Sequence, residues 1–308
     1  MYIPLENRGL IKIEGPDARD YLQGLVSQDM TRVTATQAVY SAFLTPQGKF
    51  LFDFFCFELN GALMLDCEAD RRSDFFKRLS LYKLRSKATL TDVSDAYRIY
   101  AVLDDTDQPA LCDQLGLSHE RGTCVPFGDG VAYVDPRLDT MGLRVALPLG
   151  DTALTDAGKR PGAFENYEAV RIAQGLPDGA RDMAVDKALL LENGFEELDG
   201  VSFTKGCFMG QELTARTRYR GLVKKRLLPV AIDGPAPAPG TAIEVDGREV
   251  GEMRTEIGDI GLALIRLDAL DDHFSFTIGE TTLTPNVPDW VVFQDQGKQD
   301  QGKPGGAD

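Results

Sequence analysis

The sequence predicts an α+β fold built in layers, with a small β-barrel at its C-terminal end. Three observations carry this. Two hairpin patterns lie between amphipathic helices, which favours antiparallel sheets covered by helices over a doubly wound parallel sheet. No G-x-G-x-x-G loop and no Walker motif occurs, which argues against a nucleotide fold. A proline-rich joint at residues 234–240 is followed by short strands with turns at Asp246-Gly247 and Gly258-Asp259.

Taken in order, Arg8–Glu14 alternates apolar and polar residues and reads as a strand. Gly15-Pro16-Asp17 then opens a helix, with proline at its first position and an acid in its first turn. Ala18, Tyr21, Leu22, Leu25 and Val26 share one face, so this helix is expected to reach about Asp29. Residues 40–44 read as a strand, Thr45-Pro46-Gln47-Gly48 as a tight turn, and the apolar run Phe50–Leu59 as the second arm of a hairpin. Asn60-Gly61 is a two-residue hairpin signal leading into residues 62–67. Residues 70–83 form an amphipathic helix anchored by Phe75, Phe76, Leu79 and Leu81.

Further strands are expected at 88–93, 97–103, 130–135 and 142–147, so the second half echoes the first in structure without a sequence repeat. Residues 164–174 form a helix stopped by Gly175 and Pro177. A strand at 223–232 begins a β-rich section, and strands at 274–278 and 281–283 complete the barrel. From 294 the tail has no apolar period and is expected to be disordered.

Composition narrows the function. The 308 residues carry 48 acids against 33 Lys and Arg, a formal charge of −15. Such a chain does not bind duplex nucleic acid through its general field, so any anion site is a local basic patch. Five cysteines lie at irregular spacing with no C-x-x-C, and there are only two histidines. That leaves no donor set for a structural zinc or a resident iron–sulfur cluster, so no metal site is expected. Unpaired cysteines fit a reducing compartment, and no signal pattern or membrane-length apolar stretch is present. A soluble, cytoplasmic protein is the expectation.

One stretch stands out, residues 205–216, KGCFMGQELTAR. Gly206 and Gly210 flank Cys207 and let the backbone turn tightly. A helix starts directly after Gly210. A thiol just ahead of a helix N-terminus, with Lys205 nearby, has two reasons to ionise easily. Local features leave two readings of Cys207, a reactive thiol or a small buried apolar residue.

KGCFMGQE with Arg216 just beyond it resembles the signature of the YgfZ-type folate-binding proteins, relatives of the glycine-cleavage T-protein. GPDARDYLQGLVSQDM near the start, LTPQGKFLFDF, LYKLRSKATLTD, YEAVRIAQGLP and GVSFTKGC agree in order. The resemblance implies two strand-exchanging folate-binding α+β subdomains, residues 1–95 and 96–221, around a central channel for tetrahydrofolate. A C-terminal barrel at 222–293 closes it, and 294–308 is the tail. It also implies support of iron–sulfur assembly or repair, chiefly [4Fe–4S], in client enzymes, with an indirect link to tRNA modification. Expected partners are folate and iron–sulfur clients or assembly proteins, with no membrane and no direct tRNA contact.

The resemblance makes Cys207 the functional thiol, whether as nucleophile, redox group or transient iron ligand. Lys205 either depresses the thiol pKa or pairs with a folate carboxylate. Gln211 and Glu212 on the first helical turn are ligand candidates, although the dipole alone favours an acid there. Arg216 leads a basic run (Arg218, Arg220, Lys224, Lys225, Arg226), read as a site for a polyglutamate tail or another polyanion. Glu192 stands where the family places a pterin-binding glutamate, and a carboxylate can accept two pterin N–H bonds. Arg171 is either a ligand contact or a buttress of the fold. Transferases of the family carry an acid pair after the hairpin turn. Here Lys49 replaces a glycine and Phe52 the first acid, which weakens aminomethyl or one-carbon transfer. Asp53 remains, either touching folate or facing water at a sheet edge.

Overall fold

The computed structural model describes residues 1–104 and 110–293; the expected disordered tail lies outside them. The architecture is α+β, with three antiparallel sheets. The first sheet has the spatial order Val39–Leu44, Phe50–Leu59, Ala62–Glu68, Arg8–Glu14 and Thr89–Asp92. The second runs Tyr2–Pro4, Tyr97–Val102, Leu143–Pro148, Gly130–Val134 and Cys124–Phe127. The first strand of the chain thus joins the second sheet, pairing Tyr2 with Val102, and the next strand returns to the first.

The apolar run Phe50–Leu59 is buried on both faces, which is why its alternation is hidden in the sequence. Phe52 and Phe54 point to the helix Arg72–Lys83, where Phe52 stacks on Phe75 with centroids 4.7 Å apart. Successive side chains alternate faces, so Asp53, Phe55 and Phe57 point instead toward the second sheet. There Phe57 meets Tyr133 at 5.2 Å, and Tyr40 meets Phe55 at 5.1 Å. Burial of each such ring contributes roughly 1.5–3 kcal/mol.

The third sheet runs Ala242–Val245, Arg248–Ile257, Ile260–Arg266, Lys225–Asp233, Thr281–Pro285 and Phe276–Ile278. Its two edge strands approach each other, giving a nearly closed barrel. Gly234 and Gly240 sit at positive φ around the proline-rich joint.

Three expectations need correction. The first helix spans only Ala18–Gln23. Leu25 and Val26 leave it because Ser27 N–H bonds to the carbonyl of Ala42 and Val26 bridges Phe43, so pairing to the sheet overrides helix continuation. Leu81 is not an anchor, since it is 74% exposed. Asp53 is not an edge residue facing water: it lies mid-strand in the second position of the first sheet and is 2% exposed.

Candidate functional site

Two polar regions emerge, one buried between the sheets and one at the surface around Cys207. The buried one centres on isolated charges in otherwise apolar strands. Asp66 follows Ala62 and Met64 on the inward face of its strand, and it pairs with Arg8 at 2.6 Å and with Arg144 of the second sheet. Arg144 also lies over the Phe55 ring, 3.9 Å from its centroid. Arg137 pairs with Asp135 at 2.8 Å, and both Arg137 and Arg144 donate to the Tyr167 hydroxyl. Arg171 donates to Glu168, Asp182 and the Leu176 carbonyl, and Asp182 in turn accepts from Thr255 of the barrel. The contacts of Arg171 are those of a buttress tying the 164–182 segment to the barrel. Its guanidinium has no free side for a ligand.

Asp53 is a carboxylate of this centre with an unsatisfied oxygen, and the Tyr133 hydroxyl is likewise buried without a partner. Tyr40 donates its hydroxyl to Asp53 Oδ2 at 2.7 Å, while Oδ1 is buried without a hydrogen-bond partner. Burial raises its pKa above the ordinary carboxylate value, against the opposing pull of Arg8. An orphaned buried acceptor costs about 1–3 kcal/mol.

The surface region is built from residues 201–210 laid against residues 24–28. Ser202 and Met209 N–H groups bond to the carbonyls of Ser27 and Gly24. Lys205 turns its ammonium inward and donates to the carbonyls of Val26 and Gln28, both at 2.7 Å. Burial lowers its pKa to about 8, against a smaller raising effect of Asp29. Its observed role is therefore to strap the loop down. Gly206 and Gly210 have φ of +95° and +81°. A Cβ on Gly210 would meet the Thr45 carbonyl oxygen at 2.6 Å, so this glycine also lets the 45–48 turn pack on the loop. The helix Gln211–Tyr219 follows. Cys207 is exposed, whereas Cys56, Cys67, Cys112 and Cys124 are buried. The core-filler reading of Cys207 is thereby removed.

The remaining candidates are distributed unevenly. Glu192, on the short turn Leu191–Asn193, lies near the Lys224 and Lys225 backbone and the Lys225 and Lys49 side chains. Its burial raises the carboxyl pKa and these neighbours lower it. Glu212 is paired with Arg216 on the exposed helix face, and Gln211 caps the same turn through its N–H to Phe208. The basic run does not form one cationic face. Arg218 pairs with Glu196 at 2.5 Å, and buried Arg226 pairs with Glu197 at 2.6 Å. Sequence reasoning missed the Arg8–Asp66–Arg144 and Arg171–Asp182 pairs. Their signal was a single charge within an apolar strand or helix face. Among the described residues no group of three or more His, Cys, Asp or Glu could hold a metal ion, and no helix is long and apolar enough to cross a membrane.

Residues 224–293 match the family model described as CAF17, C-terminal beta-barrel domain. Over 309 residues the chain is 33% identical to the mouse protein named iron-sulfur cluster assembly factor IBA57, mitochondrial, covering 93% of this chain and 84% of the relative. The human protein of the same name is 33% identical with the same coverage. A Coccidioides immitis homolog of IBA57 is 29% identical over 98% of this chain and 80% of its own length. The crystal structure of glycine cleavage system aminomethyltransferase T from Bartonella henselae superposes with a TM-score of 0.74 at 15% identity, covering 95% of this chain and 86% of that one, which shows a shared fold. The relatives' names place them in the mitochondrion, and this overturns the cytoplasmic expectation. Free thiols indicate reducing surroundings without saying which compartment supplies them.

Proposed function

We propose a function from one premise: this chain belongs to the IBA57 family of iron–sulfur cluster assembly factors. The kinship read from KGCFMGQE holds at that level, on an aminomethyltransferase-like fold with a CAF17-type barrel; the relatives carry the IBA57 name rather than the YgfZ one. The chain assists assembly of iron–sulfur clusters in client proteins, and Cys207 is the group that acts. The observation that carries this is an exposed thiol on a loop strapped by Lys205 and turned by two positive-φ glycines. One thiol does not hold a cluster alone, so the cluster is cargo whose other ligands come from a partner. Any effect on tRNA modification follows indirectly, through iron–sulfur clients. The test is removal of the chain from its cell. Activities of [4Fe–4S] enzymes should fall while those of metal-free enzymes hold, with recovery on restoring the chain. Equal behaviour of the two classes contradicts the reading.

Tetrahydrofolate in the space between the sheets is the finer part of the proposal. Asp53 supports it, because its unpartnered Oδ1 is suited to a pterin N–H. Arg171 and Arg216 already have partners and offer less, while Glu192 remains a second candidate acid. Bound folate would supply a one-carbon carrier; what this chain contributes is the buried carboxyl, oriented by Tyr40. Tetrahydrofolate should raise the thermal midpoint of the wild type and not of Asp53→Leu. No shift in the wild type removes folate from the account.

A further inference from the structure

The exit of the helix Arg72–Lys83 is exposed where it should be covered. Leu81 and Leu84 are 74% and 87% exposed, and Tyr82 is half-exposed beside them. Leu84 also holds φ +46° and ψ −111°, a backbone state that side-chain-bearing residues rarely adopt. Three cations lie in the same stretch: Lys83, Arg85 and Lys87. Arg72 and Arg78 of the same helix are paired with Asp92 and Asp74. Among the described residues Lys83, Arg85 and Lys87 make no ion pair. In a chain with a formal charge of −15, unpaired cations beside exposed leucines form a local positive, apolar surface, with the Asp17 carboxylate at its edge held by the Lys87 backbone N–H.

This surface connects directly to the thiol loop. Tyr82 sets its ring edge against Phe43, with centroids 6.0 Å apart. Phe43 bridges Val26, whose carbonyl receives the Lys205 ammonium. Met209, two residues after Cys207, packs on the same apolar cluster as Leu79.

We propose that residues 81–87 are the docking surface for an acidic partner protein whose own cluster ligands are thereby brought to Cys207. This rests on the iron–sulfur reading of Cys207 and adds the partner's chemistry and its seat. Unpaired cations beside an apolar centre complement a protein patch with an acidic rim. A bilayer fits less well, since three apolar side chains are too few for an interfacial helix face and the net charge opposes anionic lipid.

The test titrates the full chain with an acidic iron–sulfur carrier protein of the same organism, cluster-loaded and apo, at about 50 mM and about 300 mM salt. Wild type should bind the carrier, and affinity should fall about tenfold or more with salt. Leu84→Gly should weaken binding at least about tenfold while keeping or raising the thermal midpoint, because glycine accepts the positive φ. Combined Lys83→Glu, Arg85→Glu and Lys87→Glu should weaken binding as much and remove its salt dependence. Cys207→Ala should bind the apo carrier like wild type and lose only the cluster-held complex. If both surface variants bind normally while Cys207→Ala loses that complex, the docking surface is wrong and the iron–sulfur reading stands. If Cys207→Ala is also without effect, that reading falls with it. A wild type that does not bind the carrier overturns the surface. So does surface-dependent binding to phosphatidylglycerol vesicles or surface-dependent self-association in place of carrier binding.

Discussion

The buried centre and the Cys207 loop are both crowded with polar groups, yet they engage them in opposite ways. In the centre, the side chains bond one another: Arg8 and Arg144 to Asp66, Arg137 to Asp135, Arg171 to Glu168 and Asp182. At the loop, the polar groups hold backbone: Lys205 bonds two carbonyls, and the loop's amides bond residues 24–27. The first arrangement ties three sheets together. The second leaves a thiol free at the surface. Charge density alone therefore does not mark a site. What sets the two candidates apart is an exposed thiol at Cys207 and, among the described residues, an unsatisfied buried carboxylate oxygen at Asp53.

Breaking the centre should have the largest effect. Arg171→Met leaves Asp182 buried without its cation and Glu168 with Arg181 alone, and is expected to cost ~3–5 kcal/mol in urea unfolding. Cys207→Ser should stay within about 0.5 kcal/mol of wild type in the same assay. Equal costs would erase the distinction between the regions.

Acidification sharpens it next. Arg171, Arg8 and Arg181 outweigh burial and lower the Asp178 carboxyl from 3.8 to about 2. A depressed acid stabilises above its unfolded pKa and loses that contribution as pH falls through the folded one. Asp178→Asn should thus cost about 2 kcal/mol at neutral pH. The difference from wild type should shrink between pH 3.8 and about 2. A gap that stays constant over that window refutes the ion-pair account.

Smaller effects belong to the loop. Gly210→Ala combines a positive φ with a collision at Thr45 and should cost roughly 1–3 kcal/mol. Gly206→Ala meets open space, so only the φ penalty of about 1–2 kcal/mol remains. Maleimide labelling of Cys207 should change more in the Gly210 variant. A further effect is alkaline. Unfolded Lys205 binds its proton up to 10.5 and the folded amine only to about 8. Between those values the unfolded state holds more protons, so wild type should gain stability with pH relative to Lys205→Met.

Much of this was legible in the chain. Asn60-Gly61 between two apolar runs gave the hairpin Phe50–Leu59 and Ala62–Glu68, because a two-residue turn is specified locally. Gly210 marked the start of the helix at Gln211 for the same reason. The early end of the first helix was hidden, since it depends on Ser27 reaching Ala42 across the fold. Tyr2–Pro4 was hidden too: three residues join a sheet whose partner strand lies a hundred residues on. At the site, the glycines around Cys207 could be read from sequence. That Lys205 serves the backbone, and that Arg218 and Arg226 each have an acid beside them, needed the tertiary structure.

The most direct measurement replaces Cys207 with alanine in the parent cell and reads the activities of [4Fe–4S] enzymes, with the thermal midpoint of the purified variant as control. The account predicts an unchanged midpoint and [4Fe–4S] activities lowered toward those of cells lacking the chain. Activities equal to wild type, at equal protein level, would contradict it.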